Sequence, residues 1–387
     1  MSGTFNRRVV FWSACLGMLL FGIGLIILGA VLPDLRIRHS LDAVEAGTLF
    51  SVLPVGIIIG SLLFGPVCDR YGYGTLLATS ALLMFIGFEG LAFTHVKWVL
   101  SLSVFLFGIG GGALNGATNA VVADISETGK GANLSLLGVF FGIGALGMPL
   151  LLSALRQSFD FQPIVAAAGL LALAASLLFL VVKFPPAKQV QGISMKQVGT
   201  LVKDMTLILI ALFLFFQSAF EGLINNWTTT YLIERVGAPQ SAALIGLSLY
   251  VAGMTVMRLL IGSLFRQMPE KRLLSISFVI ILTALLLFRL GTTMVQAGAG
   301  LFLLGSGLAA GFPTMLGLVG NRYPHLSGTA FSFVLVIALL GNMAVNYAMG
   351  LVAGNYGIRH LTTFTFAELL IMVVIAAAVF KRITKNR

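Results

Sequence analysis

Apolar residues run along this chain in blocks of about twenty, separated by short polar joints, from Val9 to Phe380. A helix rises about 1.5 Å per residue, so each block is long enough to cross about 30 Å of hydrocarbon. Twelve such spans are predicted, at approximately 9–32, 44–65, 74–93, 98–122, 131–154, 162–182, 205–232, 240–264, 273–289, 296–319, 328–353 and 360–380. The expected fold is therefore an all-α membrane protein of twelve transmembrane helices. The least apolar internal stretch, 183–204, has six spans on either side. It predicts two six-helix bundles, 1–182 and 205–387, joined by a central loop.

Composition agrees: 58% of residues are hydrophobic and 10% charged, against about 25% charged in soluble domains. That excludes a soluble enzyme, and 387 residues spread over twelve spans leave no room for a folded domain outside the membrane. Forty-five glycines suit close helix packing in lipid. The net charge of +11 invites a nucleic-acid partner, but its distribution argues otherwise. The side holding both termini, the central loop, Arg70, Lys130, Arg266, Lys271, Arg272 and Arg322 carries 16 Lys and Arg, and the opposite side 7. By the positive-inside rule both termini are cytoplasmic, and the basic residues orient the chain against anionic lipid. The expected location is a plasma membrane, as in a bacterial inner membrane. Arg7 and Arg8 ahead of the first block resemble a signal peptide, but the block is too long for a cleaved leader. Cys15 and Cys68 predict no disulfide, and no residue cluster predicts a metal or cofactor.

The halves echo one another. Gly129-Lys-Gly-Ala-Asn-Leu-Ser135 opens span five and Ser327-Gly-Thr-Ala-Phe-Ser332 opens span eleven; Gly65 closes span two and Gly262 closes span eight. Duplicated bundles of this kind build transporters with the site near mid-membrane.

Between spans two and three stands Gly65-Pro-Val-Cys-Asp69-Arg70-Tyr71-Gly72-Tyr73-Gly74. It resembles the Gly-x-x-x-Asp-Arg-x-Gly signature of the major facilitator superfamily, and the two six-span halves extend that resemblance to the whole chain. The resemblance implies a conformational latch at Gly65, Asp69, Arg70 and Gly72. Asp69 facing the positive start of span eleven near Ser327 would be worth about 0.3–1 kcal/mol. Tyr73 and Gly74 replace the family's usual basic residues, and Arg266 stands where the second-half copy would carry its aspartate, so the latch is expected to be asymmetric.

Ionisable residues at membrane depth are functional candidates by default. Glu221 lies 16 residues into span seven, and Gln217, Glu221 and Asn225 recur at i, i+4 and i+8 as one polar stripe, followed by Asn226 and Trp227. Amides and a carboxylate pair with vicinal hydroxyls while an indole packs a sugar's C–H face, a pattern that suits a monosaccharide. The alternative is a hydrogen-bonded cluster that packs helices. Span seven looks like the Glu-containing seventh helix of the fucose/glucose/galactose-type symporter branch, and Phe312-Pro313-Thr314 is similar to it too. That branch places acidic residues in spans one and four; here span one has none before Asp34 and span four offers Asn115 and Asn119. Any coupling ion, a proton or Na⁺, would fall to Glu221. Asn342 and Asn346 in span eleven, beside Tyr347, make a second i, i+4 amide pair facing a central cavity or packing helices. Arg258 is expected to snorkel to the cytoplasmic interface, and Glu89 and Glu368 to be solvated at span ends.

The expected function is secondary transport of a small neutral polar solute, a monosaccharide by preference, by alternating access with proton symport, in a monomer needing neither enzyme chemistry nor ATP. The competing expectations are a proton-coupled exporter of amphipathic compounds, in keeping with 30 phenylalanines, and a membrane sensor or scaffold that transports nothing.

Overall fold

A computed structural model describes residues 5–41, 43–155, 158–186, 199, 201, 203–291 and 293–385. Among the described residues the chain is helical throughout, without strands. The helices are α1 (Arg7–His39), α2 (Ala43–Tyr71), α3 (Tyr73–Phe93), α4 (Lys97–Ile125), α5 (Lys130–Leu155), α6 (Phe161–Val181), α7 (Met205–Val236), α8 (Gln240–Gly262), α9 (Glu270–Leu290), α10 (Met294–Leu308), α11 (Gly311–Arg322), α12 (Ser327–Tyr356) and α13 (Leu361–Lys385). Eleven described segments are long and apolar enough to span a membrane, with α10 and α11 in tandem forming one of them. Span two is α2, whose apolar core is the shorter stretch Val52–Cys68.

Two helices outrun their apolar blocks. Helix α1 continues through Asp34 and Arg38 to His39, and α2 continues through Asp69 and Arg70 to Tyr71. The signature read as a charged turn is thus the last helical turn of α2, and the turn itself is Gly72, whose φ of 84° is the left-handed conformation glycine adopts without strain. Hydropathy reports where side chains leave lipid, whereas Asp, Arg and Tyr at a membrane surface still make helical hydrogen bonds.

The chain divides into two compact units. The first takes the residues up to Glu127, Phe140 to the end of α6, and Tyr323–Ser332; the second takes Thr128–Val139, α7 through Arg322, and Phe333 onward. Each is built on glycine contacts. In the first, Gly56 of α2 and Gly108 of α4 approach so closely that a Cβ on Gly56 would lie 2.6 Å from the Phe105 carbonyl oxygen and one on Gly108 2.9 Å from that of Leu53. In the second, Gly253 of α8 and Gly305 of α10 face the Phe302 and Tyr250 carbonyls in the same way. Backbones this close gain dispersion and weak C–H···O contacts that lipid cannot supply.

The echoed motifs occupy matching places. In the first unit the start of α12 lies on the end of α2: Ser332 Oγ donates to the Ser61 carbonyl and, at 3.2 Å, to that of Leu62. Pro66 has no N–H to give Leu62 four residues back, and the serine fills that vacancy. A Cβ on Gly65 would sit 2.7 Å from the Gly328 oxygen, which explains the glycine. In the second unit the start of α5 lies on the end of α8: Ser135 Oγ donates to the Arg258 carbonyl at 2.8 Å, and a Cβ on Gly262 would sit 3.1 Å from the Ala132 oxygen. Lys130 Nζ adds a bond of 2.9 Å to the Gly320 carbonyl of α11.

Candidate functional site

Helix α7 carries most of the candidate chemistry. Asp204 caps it by accepting from the Thr206 N–H at 2.8 Å and meets Arg322 at 3.4 Å; Gly237, at φ 71°, ends it. Between these ends Gln217 is buried, and its Nε2 donates to Glu221 Oε1 at 2.7 Å and to the Leu308 carbonyl at 2.9 Å. Leu308 is the last residue of α10, and carbonyls at a helix end lack an intrahelical donor, so the side chain of α7 caps the break between α10 and α11. Pro313 and Gly311 belong to that break; a Cβ on Gly311 would fall on the Gln217 amide. Glu221 keeps its second oxygen for another partner. Tyr250, fully buried on α8 with its hydroxyl unpaired, and Arg258 lie within electrostatic reach of it.

Arg258 does not reach for the interface as the sequence suggests. Its guanidinium lies along α5, 3.0 Å from where a Cβ on Gly138 would be, Nη1 donates to the Gly138 carbonyl at 3.5 Å, and Nε is buried without a partner. Glycine at 138 leaves the trough that holds it.

Next along α7, Asn226 Nδ2 and Trp227 Nε1 both donate to Asn346 Oδ1, at 2.9 and 3.2 Å. Asn346 Nδ2 donates to the Asn342 carbonyl at 2.9 Å, and Asn342 Nδ2 donates to the Ser218 carbonyl at 2.9 Å. Gly222 makes room for both asparagines. Asn342 through its donor and Asn346 through its acceptor oxygen thus hold α12 to α7. Asn225 and Tyr347 project from this knot and are exposed.

In the first unit Asn119 Nδ2 donates to the Asn115 carbonyl at 2.8 Å and to Asn115 Oδ1 at 3.1 Å, so the pair bonds along its own helix, and Asn119 is buried. Of the latch residues, Gly65 lies against α12 and Arg70 is exposed with its guanidinium 5.1 Å from the Tyr71 ring; the side chain of Asp69 lies outside the described residues. Tyr73, noted in the sequence as a departure from a basic residue, is buried, donates its hydroxyl to Asp124 and shares a hydrogen bond with Ser327. A tyrosine therefore joins α3, α4 and the start of α12.

Glu89 and Glu368 differ from expectation. Glu89 Oε1 is buried against Gly169 of α6 without a partner, and Glu368 is 3% exposed with both oxygens unpaired. Both lie within a few turns of a helix end, where sequence position suggests water, but each points at a neighbouring helix.

The Major Facilitator Superfamily model matches residues 14–346. The chain belongs to that superfamily. This superfamily chain is 26% identical over 372 residues to the multidrug resistance protein MdtG of Proteus mirabilis, covering 92% of each chain, and 28% identical over 350 residues to MdtG of Escherichia coli O9:H4, covering 87% and 84%. A 128-residue stretch is 29% identical to a D-xylose transporter of Levilactobacillus brevis, covering 33% of this chain and 28% of the relative. Among solved structures it resembles the transporter FucP in its outward conformation, with TM-score 0.81 and 18% identity over 95% of this chain and 98% of that one. It also resembles the proton:xylose symporter XylE, with TM-score 0.78 and 16% identity over 97% and 95%. At these identities the two structures speak to the fold alone. The all-helical membrane fold is that of the superfamily, and the protein is a multi-pass membrane transporter.

Proposed function

We propose that this transporter moves a small, neutral, polyhydroxylated solute, a monosaccharide in the first instance, in symport with a proton, by alternating access in a plasma membrane with both termini cytoplasmic. The supporting observation is the Gln217–Glu221 pair: one carboxylate oxygen is held by an amide that is itself anchored to Leu308, leaving the other oxygen positioned to accept from a hydroxyl. In the second unit Asn225, Asn226, Trp227 and Tyr347 supply further polar and aromatic contacts in this reading, placed by Asn342 and Asn346; in the first unit Asn115, held by Asn119, is the corresponding candidate. Glu221 carries the coupling proton, and Gly65, Asp69, Arg70 and Gly72 serve as the latch. Na⁺ coupling is the alternative that the same carboxylate would serve.

A second reading, proton-coupled export of amphipathic compounds, is supported by the MdtG relatives that align over about nine-tenths of the chain. In this reading the phenylalanines of α7, Phe215, Phe216 and Phe220, matter more than the amides.

Uptake of labelled glucose, galactose, fucose and xylose into proteoliposomes, with and without an inward proton gradient, separates the two. Gradient-stimulated sugar uptake that Glu221→Gln uncouples supports symport. Absence of sugar uptake under both conditions, with extrusion of a lipophilic cation, overturns the sugar reading in favour of export.

A further inference from the structure

We propose that Glu368 of α13 is a proton-binding site, separate from the Gln217–Glu221 pair, that takes up and releases a proton during transport. Both carboxyl oxygens are buried and neither has a hydrogen-bond partner. An ionised carboxylate without partners in a dry helix interface is far too costly to persist, so the group is held as the neutral acid. A structural role would pair it; a lipid-facing accident would expose it.

The helix also provides a route. Thr362, Thr365 and Glu368 recur at steps of three along α13, which keeps them on one side of the helix, and all three are buried. At the head of this row Tyr231 of α7 shares a hydrogen bond with Thr362. Thr365 Oγ1 sits 3.0 Å from the Thr362 carbonyl and 3.2 Å from that of Leu361, a buried hydroxyl between Thr362 and Glu368 in the row. The row opens at the Leu361 end of α13, which the expected orientation places outside. Release needs a counter-charge, and Arg235 and Arg289 lie at the head of the row, in electrostatic reach of Tyr231.

The ionisable groups around α13 are few among the described residues. Helix α7 presents Tyr231 and Arg235, α9 presents Arg289, and the turn before α13 presents Arg359 and His360. All lie toward the Leu361 end; Glu221 of α7 faces Gln217 and Arg258 instead. Glu368 itself has no charged neighbour, while arginines stand at the head of its row beside Tyr231, so a proton has a buried holding place at one end and a counter-charge for release at the other.

The test reads the proton directly and needs no substrate. Infrared spectra of the purified protein are compared near neutral pH for wild type, Glu368→Gln, Glu221→Gln and Glu89→Gln. The expected result is a protonated-carboxyl C=O band that Glu368→Gln removes and Glu89→Gln and Glu221→Gln leave in place; Glu368→Asp, should the glutamine variant fold poorly, shifts the same band. Superimposable wild-type and Glu368→Gln spectra overturn the proposal. The coupling role rests on the proton-symport reading: with a transported solute in hand, Glu368→Gln is expected to reduce gradient-driven accumulation to the gradient-free level while exchange of internal for external solute persists. Full gradient stimulation in Glu368→Gln overturns that role. Failure of wild type to take up sugar counts against the substrate reading, and the infrared result then decides this one by itself.

Discussion

Replacing Gln217 by leucine keeps much of the side-chain volume and removes two hydrogen bonds at once, to Glu221 Oε1 at 2.7 Å and to the Leu308 carbonyl at 2.9 Å. In soluble proteins a bond to a charged group contributes about 1.5–3 kcal/mol and a neutral one about 1. Within membranes measured helix–helix bonds average about 0.6 kcal/mol with a maximum near 1.7. Because Gln217 is fully enclosed and both acceptors lose their partner, the loss is expected near the upper membrane figure, about 2 kcal/mol in total. The assay is reversible unfolding of the purified protein by titration with SDS in mixed micelles, run for wild type, Gln217→Leu, Glu221→Leu and the double variant. The cycle should show a coupling of about 1 kcal/mol, since the Glu221 bond is counted in both single variants but lost once in the double. The Leu308 bond appears only in the Gln217 arm, so Gln217→Leu should remain destabilising in the Glu221→Leu background. Additivity within about 0.5 kcal/mol would refute the paired carboxylate, and with it the argument that leaves one Glu221 oxygen for a substrate.

Two further outcomes follow from the geometry. Gly60→Val places a branched side chain on the Ile109 carbonyl of α4, with the Ala113 nitrogen 2.9 Å from the Cβ position; overpacking of about 1–3 kcal/mol is expected, seen as a lower melting temperature and less monodisperse protein, whereas Gly147→Ala, with nothing within 4 Å, should melt like wild type. His39 is buried, and its burial, then Arg38, His95 and Lys97, hold its imidazole below the ordinary 6.5. The folded state therefore binds fewer protons than the unfolded one as pH falls below that value; stability present above it is lost on acidification, and His39→Gln should flatten the melting temperature between neutral and acidic pH.

Sequence and structure part company where a residue's surroundings, not its type, decide its role. Span positions were legible because twenty apolar residues in a row have few other uses, and span two differs only because its apolar core, Val52–Cys68, continues as helix through Asp69 and Arg70. The echo of Gly65 and Gly262 was legible too, since both sit one turn from a polar helix start with which they make contact in their respective units. The amide pairs were visible as pairs, but nothing in spacing tells whether Asn346 offers its oxygen to a solute or to Trp227 and Asn226, as it does. Glu368 was placed in water because it lies near a helix end; the signal that should have counted was the row Thr362, Thr365, Glu368, in which polar residues stay on one side instead of surrounding the helix. Arg258 turned inward for a reason written elsewhere, in Gly138.

The two units are not chemically equivalent, and the difference bears on where ion coupling resides. At span depth the first unit offers the amides of Asn115 and Asn119 and the carboxyl of Glu89; the second offers Glu221, Tyr250, Arg258 and Glu368 on α7, α8 and α13. A proton drives transport only if its affinity differs between two conformations, because a ligand bound equally to both shifts nothing. A tenfold difference in proton affinity corresponds to about 1.4 kcal/mol, so a hundredfold bias needs about 2.7. A carboxyl that already has a good counter-ion changes little when helices move slightly. A carboxyl with none, whose row of buried polar neighbours leads to arginines at its head, changes more, and Glu368 is so placed. Glu221, tied to Gln217 and within reach of Arg258, also meets the solute on its free oxygen in the proposed reading, so its proton and the solute share one group. On this argument the second unit holds two proton sites that differ in kind: Glu221→Gln should raise the solute concentration needed for half-maximal uptake as well as abolish gradient stimulation, whereas Glu368→Gln should lower gradient stimulation alone.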